Sequence, residues 1–194
     1  MGKNSKLVYG VGVNDADYVV TENENGKIVW RCNYYQAWKD MLARSYSDKY
    51  KQKNPTYNGT TVCEEWHSFM NFRSWMIQQD WKGKELDKDI LFEGNKVYSP
   101  TTCVFVDKLV NSFLLDCAAA RGKWPLGVYW NERDKKFQSN CSNPFTKKKE
   151  YLGSFTYPQQ AHQAWKARKH ELACQLADLQ VDERVADALR ARYK

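Results

Sequence analysis

Residues 86–106, LDKDILFEGNKVYSPTTCVFV, decide how the N-terminal part of this chain is read. Leu86 to Leu91 reads as a strand, Phe92 to Pro100 as a loop around Gly94 and Asn95, and Thr102 to Val106 as a second strand. Asp107 then stands where it can cap a helix carrying Leu109, Val110, Phe113, Leu114 and Cys117. Such a strand–loop–strand–helix unit is able to bring Asp87 and Asn111 to one point. Oxygen donors from that pair suit a single magnesium ion that keeps several waters. A metal so held would polarise a phosphodiester and stabilise its leaving oxygen.

Upstream, LVYGVGV (7–13) and YVVTENENGKIVWR (18–31) read as strands, with a hairpin-turn signal in ENENGK. Tyr34, Tyr35, Trp38, Met41, Leu42 and Tyr46 recur at helical spacing. Residues 47–61 are polar, contain Pro55 and Gly59, and read as a loop. A second helix is expected over Glu64 to Gln79, with Trp66, Phe69, Met70, Phe72, Trp75, Met76 and Ile77 as core-forming members. His67 on that segment is expected to be structural. Downstream, Arg121 to Pro125 is a plausible linker. LGVYWNERDKKFQSNC gives a strand, a turn at Asn131 to Lys135 and a second strand, and EYLGSFT gives a third. A helix begins at Pro158, with Thr156 and Gln159 spaced for a capping box. The tail 181–194 is helical, with Val181, Val185 and Leu189 on one side. There is no internal repeat and no low-complexity segment.

The 194 residues are 42% hydrophobic and 27% charged, enough apolar material for a real core. Mean hydropathy is −0.77. No apolar run approaches the ~20 residues of a membrane span. MGKNSKLVYG lacks the hydrophobic segment of a signal peptide, so a cytoplasmic protein, in a host cell's cytoplasm, is expected. Six cysteines without a C-x-x-C pair, and only three histidines, give a zinc ribbon poor support and favour reduced, packed thiols.

The charge is uneven. Residues 1–120 hold 15 Lys+Arg and 15 Asp+Glu, whereas 121–194 hold 15 and 8, which accounts for the whole net charge of +7. Residues 121–170 alone hold 11 basic and 3 acidic residues. So concentrated a basic field favours a polyanion, because Lys and Arg displace condensed counterions from phosphates. Two parts are therefore expected, 1–120 and 121–194.

Residues 34–113 resemble the phage HNH (ββα-metal) homing-endonuclease-like proteins. The resemblance rests on W-x-x-M-L-x-R at Trp38 to Arg44, V-C-x-x-W-x-x-F at Val62 to Phe69, and L-D-K-D-I…G-N-x-x-Y-S-P-x-x-C-x-F-V at Leu86 to Val106. It implies a metal-binding Asp87 and a final ligand at Asn111. Lys88 occupies the place of the family's general-base His, and Thr102 that of its loop Asn. A Lys of ordinary pKa ~10.4 is a poor base at neutral pH unless burial lowers it. Asp89, by strand alternation, is expected to point away from Lys88 and to the side of Asp87.

Residues 124–177 resemble the APETALA2-type DNA-binding domain through L-G-V at Leu126 to Val128, Y-L-G-S-F at Tyr151 to Phe155, and a helix with Ala161, Ala164 and Trp165. This implies a three-stranded antiparallel sheet packed on one helix and laid in the major groove of double-stranded DNA. Trp130, Arg133, Lys135, Lys136, Gln138 and Asn140 are the candidates for the DNA face. Lys147, Lys148 and Lys149 would hold phosphates.

The expected fold class is α+β, a degenerate HNH-like domain followed by that small sheet and helix. The expected function is DNA binding with weak or no cleavage. The alternatives are a magnesium-dependent nicking endonuclease, a hydrolase using Asp87, Lys88 and Asn111, and a phage protein that inhibits a host protein through its aromatic-rich N-terminal part.

Overall fold

The computed structural model describes residues 7–115 and 123–194. The chain divides into two units, Met1–Val106 and Asp107–Lys194. Among the described residues it is α+β, with six α-helices and four small sheets.

In the first unit β1 (Thr21–Glu24) and β2 (Lys27–Arg31) form an antiparallel hairpin. Asn25 and Gly26 turn it with φ of 49° and 75°, the left-handed pair that matches strand twist. The segment 7–13 is not a strand. Tyr9 and Gly10 also take positive φ, and the chain folds back so that Val8 bridges Gly12 and Val13 bridges Ser68.

Helix α1 (Asn33–Tyr46) follows its periodicity and buries Trp38, Met41 and Leu42. Trp38 Nε1 donates to the Trp66 carbonyl at 2.7 Å, so the indole is buried with its polar atom satisfied. Trp38, Trp66, Phe69 and Phe72 are all fully buried, with Trp66 edge-on to Phe72 at 5.0 Å and Tyr35 edge-on to Phe69 at 5.3 Å. These aromatic side chains form the core of the unit.

The polar stretch 47–61 is not wholly loop. It holds α2 (Asp48–Lys53), a 3₁₀ turn at Pro55–Tyr57 and β3 (Thr61–Val62). Ser47 caps α2 by accepting from the Tyr50 amide at 3.3 Å, and Lys51 and Lys53 lie in its last turn. The helix expected over 64–79 is interrupted at Ser68. Glu64–His67 is a 3₁₀ turn, and Ser68 Oγ accepts from the Asn71 amide to start α3 (Phe69–Met76). Tyr46 Oη approaches His67 Nε2 at 3.4 Å, giving this histidine a place in the packing.

Three short strands complete the unit: β4 (Glu85–Asp87), β5 (Val97–Tyr98) and β6 (Val104–Val106). β4 pairs antiparallel with β6, and β3 pairs parallel with β5. β4 stops at Asp87, not at Leu91, because Asp87 Oδ1 takes the amides of Asp89 and Ile90 at 2.8 and 2.7 Å and turns the chain.

The second unit begins with α4 (Lys108–Leu114). Asp107 occupies the N-cap position, but its carboxylate makes no cap bond. Cys117 and the first part of the expected linker lie outside the described residues. β7 (Val128–Asn131), β8 (Lys136–Ser142) and β9 (Lys149–Phe155) form an antiparallel sheet in that order. α5 (Pro158–Ala177) buries Ala161, Trp165, Leu172, Ala173, Leu176 and Ala177. Its capping box does not form: Tyr157 is the N-cap, without a side-chain bond, and Pro158 opens the helix through its fixed φ. Thr156 stands one residue too early to serve.

Lys169 Nζ donates to the Phe113 carbonyl at 2.7 Å and ties α5 to the end of α4, and burial pushes its ammonium down to about 8. α6 (Glu183–Ala191) is capped by Asp182 and buries Val185 and Leu189. Val181 precedes this helix and is 91% exposed, so it does not share their face.

Gly127, just before β7, has φ of 75°, and a Cβ there would lie 2.0 Å from Trp165 Cδ1. A glycine is required both by the backbone and by the indole against it.

Candidate nucleic-acid interface

Register sorts the side chains of the sheet. Val128, Trp130, Phe137, Ser139 and Cys141 share one face, since Val128 opposes Ser139 and Trp130 opposes Phe137. That face meets α5, and Ser139 and Cys141 on it are buried. The opposite, outward face carries Tyr129, Asn131, Lys136, Gln138, Asn140, Ser142, Lys149, Tyr151 and Ser154. A bulge opposite Ser139 and Asn140 shifts the parity on β9 by one residue, so that Asn140 pairs with Tyr151 and both Ser154 and Tyr151 face outward.

Trp130 therefore does not belong with the candidate DNA-facing residues. Its ring packs edge-on against Phe137 at 4.8 Å on the helix side. Lys136, Gln138 and Asn140 do lie together on the outward face, with Lys149 at its far end opposite Ser142. Tyr129 and Tyr151, 39% and 59% exposed, flank the two amides. Tyr129 Oη donates to Gln138 Oε1, and Tyr151 Oη pairs with Ser154 Oγ at 2.8 Å. The signal for these tyrosines was present in the sequence: once Asn131 opposes Lys136 across the turn, Tyr129 must oppose Gln138. A shallow hollow of about 240 Å³ on this face is lined by Leu126, Tyr129, Asn140, Ser142 and Lys149.

The charges divide into two groups. In the β7–β8 turn Arg133 pairs with Asp134 at 2.9 Å and Lys135 with Glu132 at 2.8 Å, so this tip is locally neutral. Asp134 also accepts from Asn131 and Gln138. Lys147 and Lys148 are exposed on the β8–β9 loop, next to Lys149. Among the described residues no carboxylate pairs with Lys136, Lys147, Lys148 or Lys149. Asn143 orders that loop: its Oδ1 accepts from the Phe145 and Thr146 amides at 2.8 and 3.1 Å, and its Nδ2 donates to Glu150 at 2.7 Å. Glu150 is the one acidic residue in the three strands, and it is turned to the helix side. Arg168 bonds it at 2.7 Å and holds its carboxyl below the usual range, with help from Asn143.

The other sequence candidates are placed differently. Asp87 and Lys88 lie in the first unit, and Asn111 lies on α4 in the second. Asp89 sits beyond the end of β4, where alternation no longer applies, and its Oδ2 meets Lys88 Nζ at 2.9 Å. It thus faces Lys88 instead of pointing away. Lys88 is buried, and Asn95 Nδ2 pins its carbonyl at 2.6 Å. Thr102 Oγ1 donates to the Val97 carbonyl at 2.8 Å.

Asp87 Oδ1 is engaged by two amides, Asp89 is paired with Lys88, and Arg44 donates to the adjacent Leu86 carbonyl. Among the described residues no three His, Cys, Asp or Glu side chains gather as a metal site.

Burial, then the charge of Asp89, raises the Asp87 carboxyl above its ordinary value, against the lowering by the two amides. A folded-state pKa above that of the unfolded chain means that ionised Asp87 costs stability, and that this cost disappears as pH falls through the folded value. Asp87→Asn keeps an acceptor for both amides. The variant is therefore expected to equal or exceed the wild type in urea stability at neutral pH, with the advantage fading in acid. A marked loss at neutral pH would show that the carboxylate charge itself holds the turn.

Comparison with known protein families, with curated proteins and with solved structures finds no match to this chain.

Proposed function

We propose that this chain binds double-stranded DNA through the outward face of the β7–β8–β9 sheet, in the manner its resemblance to APETALA2-type domains implies. The observation that carries the reading is the segregation of charge. Lysines, amides and tyrosines share the outward face, whereas Glu150 is withdrawn and neutralised behind it. The major groove admits a β-ribbon, and Asn and Gln pair with adenine edges there. Lys136, Lys147, Lys148 and Lys149 meet phosphates and set the grip, while Gln138 and Asn140 read bases.

The first unit serves as an HNH-like scaffold with weak or no cleavage. In support, the candidate catalytic groups Asp87 and Lys88 are engaged with backbone amides and with Asp89. Trp38, Trp66, Phe69 and Phe72 fill its core and are not offered to a host protein, whereas Trp30 and Phe92 are exposed.

The test is anisotropy of a labelled duplex with the full-length protein across a salt series. Four phosphate contacts give a slope of log K against log salt of about −3 to −4. No binding, or binding indifferent to salt, would refute the proposal. In the same preparation supercoiled plasmid with Mg²⁺ is expected to stay supercoiled. Nicking that Asp87→Ala abolishes would establish the endonuclease reading instead.

A further inference from the structure

The side-chain amide of Gln138, on the outward face, is held at both of its ends. Its Nε2 donates to Asp134 Oδ2 at 3.3 Å, and its Oε1 accepts from Tyr129 Oη, the residue opposite it on β7. A carboxylate only accepts, so the Asp134 contact requires Nε2 on that side and leaves the carbonyl oxygen to the tyrosine hydroxyl. The terminal torsion of an unheld glutamine is broad, whereas this amide has one orientation. Asp134 is itself anchored. Its Oδ1 takes Arg133 Nε at 2.9 Å, its Oδ2 takes Asn131 Nδ2 at 3.1 Å, and its backbone amide donates to Asn131 Oδ1 at 3.1 Å.

We propose that Tyr129 and Asp134 are positioning residues through which Gln138 selects adenine over guanine in the major groove. The inference rests on the DNA-binding reading above and adds which base the sheet selects and what sets the choice. With both clamps made, Oε1 keeps a second lone pair and Nε2 a second N–H. Adenine presents a donor at N6 and an acceptor at N7, which match that remaining acceptor and donor. Guanine presents acceptors at both O6 and N7. Against the clamped amide its O6 meets Oε1, acceptor against acceptor, and both lose their water without gaining a bond. An amide released from its clamps turns its N–H groups to guanine, so its choice relaxes.

The test uses the full-length protein on duplexes that it selects from a randomised pool, with affinity read by anisotropy. The base under Gln138 is the one whose replacement Gln138→Ala no longer notices. There the wild type is expected to lose about tenfold in affinity when adenine is replaced by guanine. A similar loss is expected with 7-deazaadenine, which removes only the N7 acceptor. Tyr129→Phe keeps the ring and removes one clamp; Asp134→Asn replaces a pure acceptor with a group that also donates. Each is expected to bring the adenine-to-guanine ratio close to one. The ratio is taken within each variant, so a uniform loss of affinity from a merely structural role cancels. Salt-dependent binding with no adenine preference assignable to Gln138, or a preference that either positioning variant keeps in full, would overturn this inference and leave the DNA reading standing. No binding to any duplex would overturn both.

Discussion

Lys136→Glu combined with Lys149→Glu is expected to weaken duplex binding by the full-length protein about 100-fold near 0.1 M salt. Each phosphate contact contributes ~0.9 to the salt slope, and at that salt about eightfold in affinity relative to 1 M. Two lost contacts remove roughly 60-fold, and the introduced carboxylates add repulsion. The slope itself should fall by about two. Both residues are exposed and outward-facing, without a partner carboxylate among the described residues, so the folded sheet should persist. Arg133→Glu is the instructive contrast. Arg133 is already paired with Asp134 in a locally neutral turn, so its reversal should matter less. An affinity unchanged by the double reversal would remove this face from the account.

Gly127→Ala carries the largest expected loss of stability in the second unit. The left-handed φ of 75° costs an L-residue roughly 1–2 kcal/mol. The new Cβ would fall 2.0 Å from Trp165 Cδ1 and 2.1 Å from Cγ, so the indole must move. Trp165 is 9% exposed, stacks on His162 at 5.5 Å and meets Tyr193 edge-on at 5.7 Å, so it has little room to yield. Strain and overpacking together should cost about 2–5 kcal/mol. Duplex affinity should fall with it, because β7 begins at the next residue. Thermal melting followed by circular dichroism decides: a midpoint equal to the wild type's would mean that the close approach is relieved at no expense.

The outer parts of the sheet and its helix were legible in the sequence because local rules govern them. Alternation in FQSNC, polar residues at the turn and Pro158 at a helix start each act within a few residues. Trp130 was assigned to the wrong face because its side is set by pairing with Phe137 across the turn, not by its own chemistry. α2 escaped because DKYKQK buries nothing; only the Ser47 cap and the terminal lysines announce it. The parallel pair β3–β5 joins two-residue strands 36 positions apart at Thr61 and Val97, a non-local contact that no periodicity encodes. At Asp87 the residue type alone does not announce that Oδ1 takes the two amides of the turn that follows β4.

The hairpin β1–β2 bears on how the protein behaves when crowded. Among the described residues it is a sheet of only two strands, so each strand is an open border there, and Ile28, Val29 and Trp30 on β2 are 52%, 52% and 46% exposed. Such a border is a template for runaway stacking of one chain on the next. Glu22 and Glu24 on one strand, and Lys27 and Arg31 bracketing the apolar trio on the other, act as gatekeepers: a neighbour docking in antiparallel register on β2 would set Lys27 against Arg31. The molecule thus tolerates a sticky ribbon on its surface because like charges at the ribbon's ends forbid it from copying itself.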